Sequence, residues 1–78
     1  MEWLRTRSDR TWAAAGYYAY CWDSQTVGRC YAAAVFAIGG MDDDRRVGDV
    51  VYGSTIEETL RRAVLAYDAR AILPDAAM

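Results

Sequence analysis

Apolar and aromatic side chains run from Trp12 to Trp22 and again from Val27 to Ile38, with only Asp23-Ser24-Gln25-Thr26 between them. Gly39-Gly40 closes the second run. Asp, Ser and Thr favour turns, so the two runs read as an antiparallel hairpin. The alanines of residues 31–38 also suit a helix, but Tyr, Val, Phe and Ile at the large positions favour a strand. Residues 41–49 form a charged loop, and residues 49–54 supply a short third strand. A helix from about residue 55 to 70 follows: Ser54 with Glu57, or Thr55 with Glu58, can form a capping box. Ile56, Leu60, Ala63, Val64, Tyr67 and Ala71 then share one helical face, and Glu57/Arg61 and Glu58/Arg62 are favourable i,i+4 pairs. Pro74 stops the chain, which leaves residues 70–73 as a candidate edge strand and residues 75–78 as a tail. Residues 1–11 are polar and Arg-rich, either a frayed end or a short edge strand anchored by Trp3 and Leu4. The expected fold is α+β: an antiparallel sheet of three to four strands in the order β-β-β-α, with the helix on one face.

Placing Trp22 opposite Val27 fixes a register of period two. Tyr20 then faces Arg29, Tyr18 faces Tyr31 and Gly16 faces Ala33, with Trp12 near Ala37. One face carries Tyr18, Tyr20, Trp22, Arg29 and Tyr31. The other carries Ala13, Ala15, Tyr17, Ala19 and Cys21, with Cys30, Ala32, Ala34, Phe36 and Ile38. A helix approaches a sheet closely only over small side chains, so the Ala/Cys face should lie beneath Ile56, Leu60, Val64 and Tyr67. The rings are left looking outward. Tyr, Trp and Arg concentrate binding energy at interfaces, which makes that face a candidate protein-binding or homodimer surface. A single bulge or a reversed register would instead bury the rings as core. Base stacking is the other use of such rings, but it takes place in a basic groove, and only Arg29 lies among them.

At 78 residues the chain is expected to be one domain with a small core, so a partner or a second copy would help to stabilise it. It lacks an apolar run of about 18 residues, and its N-terminus is charged, which predicts a soluble, intracellular protein. All nine basic residues are Arg and there is no His, which removes Ser/His and Cys/His nucleophile pairs and His-based zinc sites. Asp23, Glu57, Glu58 and Asp68 show no acid–base spacing, so a non-enzyme is expected. The formal charge of −2 does not attract phosphate backbones. Cys21 and Cys30 are not in a C-x-x-C pair and are expected as reduced, buried small hydrophobes, with a disulfide within the chain or between subunits as the alternative. Asp42, Asp43, Asp44 and Asp49 lack the alternation and distal Glu of a calcium loop, so neither metal nor cofactor is expected. The acidic run is either a solvated loop neutralised by Arg45 and Arg46, or a patch extended by Asp23, Glu57 and Glu58. Such a patch could mimic phosphate on a basic surface.

Gly53, Thr55 and Glu58 in "GSTIEETLRRAVLAY" resemble the strand-to-helix junction Gly-x-Thr-x-x-Glu-Ala of HicB-like antitoxins, with Thr59 where that family carries Ala. The resemblance covers about 40 residues and implies a partial RNase-H-type fold that covers a toxin. By type, without a shared motif, the chain is also similar to small phage-encoded anti-CRISPR proteins. That likeness implies a cytoplasmic inhibitor that binds a CRISPR–Cas effector subunit and blocks target DNA binding. The candidate partner-binding residues are Tyr18, Tyr20, Trp22, Asp23, Arg29, Tyr31, Asp42, Asp43 and Asp44.

Overall fold

The computed structural model describes residues 2–26, 28–39 and 44–72. Among them the chain forms six strands and one helix: β1 (Leu4–Arg5), β2 (Thr11–Ala14), β3 (Tyr17–Asp23), β4 (Tyr31–Ala37), β5 (Arg45–Arg46), β6 (Val51–Gly53) and α1 (Ile56–Ile72). The fold is α+β, an antiparallel sheet with the C-terminal helix packed on one face. Each strand from β1 to β4 pairs with the next in sequence, and β6 joins β4 on the same edge as β5. No helix among the described residues is long and apolar enough to cross a membrane.

The sheet has more strands than the hydrophobic pattern predicts, because the run from Trp12 to Trp22 folds back on itself. Ala15-Gly16 is a turn, and Gly16 has a φ of +79°, a value open to glycine at little cost. Ala14 then pairs with Tyr17, and Thr11 with Tyr20. The N-terminal segment supplies an edge strand, with Leu4 opposite Ala13 and Arg5 opposite Trp12.

The connection from β3 to β4 is also longer than the polar tetrapeptide, running from residue 24 to residue 30. Ser24 N–H donates to Cys30 O at 3.0 Å, Arg29 N–H to Thr26 O at 3.1 Å, and Gly28 takes a φ of +82°. The register therefore differs from the expected one. Trp22 pairs with Ala32, Tyr20 with Ala34, Tyr18 with Phe36 and Asp23 with Tyr31. Val27, the expected partner of Trp22, lies outside the described residues. The expected parity of β3 holds, and that of β4 is reversed.

β5 and β6 are two parts of one interrupted strand. Val47 and Gly48 N–H both donate to Val35 O, at 2.9 and 3.3 Å, so residues 47–50 bulge out opposite Ala34 and Val35. Phe36 consequently pairs with Arg46, and Ala32 with Tyr52. Residues 70–72, expected as part of an edge strand, continue the helix.

The core lies between the helix and the sheet. Ala19, Cys21, Ala33 and Val35 meet Leu60, Ala63 and Val64, with Ile56 and Tyr67 packed against them. Small side chains on the sheet let the helix come close, and Leu60 is wholly buried, a burial that stabilises by about 2–3 kcal/mol. Tyr67 carries the contact outward to Tyr17, ring centroids 5.6 Å apart, and to Trp3 at 6.4 Å.

The β6 to α1 junction sets the helix against the sheet. Thr55 is the N-cap: its Oγ1 accepts from Glu58 N–H at 3.1 Å, while Glu58 Oε1 accepts from Ser54 Oγ at 2.9 Å. A Cβ built on Gly53 would collide with Thr59 Oγ1 and lie 3.2 Å from Thr59 Cα. Gly at 53 is what allows strand and helix backbones to meet here.

Candidate functional site

Because alternate residues of a strand face opposite ways and the helix covers Ala19, Cys21, Ala33 and Val35, the even-numbered residues of β3 and β4 form the open face. Three cross-strand rows build it. Leu4, Ala13, Tyr18, Phe36 and Arg46 are successive partners across one end of the sheet. Thr11, Tyr20 and Ala34 form the middle row, and Trp22, Ala32 and Tyr52 the third.

The rings of these rows touch. Tyr18 stacks on Phe36 with centroids 5.3 Å apart, Tyr20 on Trp22 at 6.3 Å, and Trp22 meets Phe36 edge-on at 6.5 Å. Ala32 and Ala34 share this face, yet they are only 1% and 0% exposed, because the surrounding rings shield them. The result is a thin aromatic layer on the side of the sheet opposite the helix. Its outer surface remains open: Tyr20 is 40%, Ile38 57% and Leu4 59% exposed, three of the four exposed large hydrophobics among the described residues.

Two arginines belong to the borders of the layer. Arg29 lies 4.5 Å over the ring of Tyr52, and Arg46 stands beside Phe36; no carboxylate among the described residues pairs with either. At the Tyr18 end the phenol donates to Asp44 Oδ2 at 2.9 Å, and Gly39 N–H donates to Asp44 Oδ1 at 2.9 Å. The Gly39 amide first, and then the Tyr18 hydroxyl, hold the Asp44 carboxyl below the ordinary aspartate value. Burial first, and then the bond to the carboxylate, push the Tyr18 phenol up.

The structure thus brings together Tyr18, Tyr20, Trp22, Arg29 and Asp44 of the nine candidates. Tyr31 and Asp23 belong to the other face: Tyr31 packs against the core, and Asp23 accepts from Arg10 at 3.0 Å while that guanidinium lies 5.7 Å over Tyr31. Asp42 and Asp43 lie outside the described residues. Phe36, Tyr52 and Arg46 join the open face. A correct parity for β4 would have placed Phe36, and the Gly28 signal for a longer loop was present in the sequence.

The remaining acids expected to extend the acidic patch are occupied. Glu57 binds Arg5 at 2.9 and 3.2 Å and Arg61 at 2.9 Å, and Glu58 binds Arg62 at 2.9 Å. Arg5 ties β1 to the first turn of the helix in this way. The two thiols differ, contrary to the expectation that both are buried: Cys21 is in the core, where burial pushes its thiol up, and Cys30 is exposed. Both are free.

In comparison with known proteins, no family model, no curated protein and no solved structure matches this chain.

Proposed function

We propose that the protein is a non-enzymatic binding module that docks on a protein partner through the open face of its sheet. One observation carries this reading. The face opposite the only described helix bears Tyr18, Tyr20, Trp22, Phe36 and Tyr52 with two arginines that no carboxylate among the described residues pairs, and Tyr20 stands 40% exposed at its centre. Rings of this kind bury large area at low entropy cost, and Arg adds directional hydrogen bonds. Within this reading the protein acts as an anti-CRISPR-like inhibitor, which docks on a CRISPR–Cas effector subunit and blocks its contact with target DNA. The reading rests on the aromatic face. The reading does not draw on phosphate mimicry: of the acids expected to extend the acidic patch, Asp23, Glu57 and Glu58 are engaged by arginines.

A plasmid-interference assay tests it. Cells with an active CRISPR system and this gene should accept a targeted plasmid, and cells carrying Tyr20→Arg should reject it. Rejection in both, across effector types, would discard the inhibitor reading.

The second reading, a HicB-like antitoxin, is favoured by the close approach of strand and helix at Gly53 and by the Thr55 cap on the Glu58 amide, the three matched residues of the junction. Rescue of cells from a small toxin encoded beside this gene would support it.

A further inference from the structure

We infer that a second copy of this chain occupies the open sheet face when no other partner does, giving a two-fold dimer packed sheet to sheet. The inference rests on the docking reading above and names one occupant of the same surface. A two-fold interface must be self-complementary, since the same patch serves both subunits. The charges on this face meet that condition. Asp44 lies at the Tyr18 end and Arg29 at the Tyr52 end, four residues apart along β3, or about 13 Å. An in-plane axis perpendicular to the strands, passing through the middle row at Tyr20, exchanges the two ends. Asp44 of each copy then faces Arg29 of the other, and Arg46 comes to the same Arg29/Tyr52 end, where the Asp44 carboxylate lies between the two guanidinium groups.

Area sets the strength. Rows of five, three and three positions, each covering about 4.8 Å across the strands and about 6.6 Å along them, offer roughly 350 Å² from each copy. The sum, roughly 700 Å², lies below the ~1,000 Å² of a stable interface, so this is a weak dimer that forms only at high concentration. The same contact would cover Leu4, Tyr20 and Ile38 together, and it would give a second apolar layer to a chain whose core has Leu60, Val35 and Val64 as its only large buried aliphatic side chains among the described residues.

Sedimentation velocity decides the matter. The wild-type chain should change from 8.7 kDa toward twice that mass as its concentration rises to about 100 μM. Tyr20→Arg should stay monomeric with an unchanged far-UV circular dichroism spectrum, and Arg29→Glu should weaken association about tenfold at low salt. If Tyr20→Arg fails to fold, Leu4→Glu and Ile38→Glu, at more exposed positions of the same face, are read in its place. A wild-type monomer at about 100 μM overturns the dimer and leaves the docking reading to the plasmid assay. A dimer that persists in the folded face variants overturns this assignment of the interface. A monomer that binds oligothymidylate with steep salt dependence assigns the face to bases, and also overturns it.

Discussion

The Tyr18 hydroxyl donates a 2.9 Å hydrogen bond to the Asp44 carboxylate, which joins the aromatic layer of the open face to the end of the acidic run. The same carboxylate accepts from Gly39 N–H, so it closes the connection between β4 and β5. An aspartate in this run therefore has a structural task. Its carboxyl is held below the ordinary value of 3.8, and those of Glu57 and Glu58 below 4.5, the first by Arg5 and the second by Ser54.

A depressed folded value lends stability that is complete above the unfolded pKa and is lost as the pH falls through the folded one. Unfolding free energy should therefore be level near neutrality and decline below about pH 4.5, as these three carboxyls take up protons. Tyr18→Phe should raise the midpoint of Asp44 in a carbon-detected carboxyl titration, and an unmoved midpoint would deny the bond. Asp44→Asn should flatten part of the acid limb.

Gly53→Ala should lower stability by about 1–3 kcal/mol, because the added methyl meets Thr59 across the strand-to-helix junction. Thr59→Ala removes the hydroxyl that it strikes. The double variant should recover part of the loss, and strictly additive losses in chemical denaturation would contradict the close approach.

This junction was the part of the fold most legible in the sequence, because capping chemistry is local: Thr55, Glu58 and the apolar stripe from Ile56 to Tyr67 need only their neighbours. Sheet register is not local. The outward placement of Tyr18, Tyr20 and Trp22 followed from the alternation within one strand, combined with the need for alanines beneath a helix. The partner strand depended on the loop, where Gly28 adds a turn that the polar residues alone did not announce, and one reversed parity exchanged Tyr31 for Phe36. The Ala15-Gly16 turn was hidden because apolar residues flank it on both sides. Tyr52 and Arg46 reached the open face through the bulge at residues 47–50, whose length no pattern of polarity specifies.

Thr55→Ala should cost about 1 kcal/mol, since it removes the acceptor for the Glu58 amide, while Thr55→Ser should keep most of the stability. Urea denaturation of the two variants separates loss of the cap from loss of the methyl group. Equal destabilisation by both would count against the cap.

Cys30 should react with a thiol reagent such as dithiobis(nitrobenzoate) at the rate of an open thiol, and Cys21 only as the chain unfolds, because the first is exposed and the second is in the core. One equivalent released rapidly from native protein, and a second on adding denaturant, is the expected record. Two fast equivalents would mean that the helix does not cover Cys21.

The most direct test of the open face as the docking surface is a paired measurement on Tyr20→Arg, of thermal midpoint and of relief of CRISPR interference. The midpoint should fall by no more than about 4–8 °C, as for the loss of one stacked ring worth about 1 kcal/mol, while the relief is lost. A collapse in the midpoint would place Tyr20 in the core, and full relief with an intact fold would show that the partner binds elsewhere.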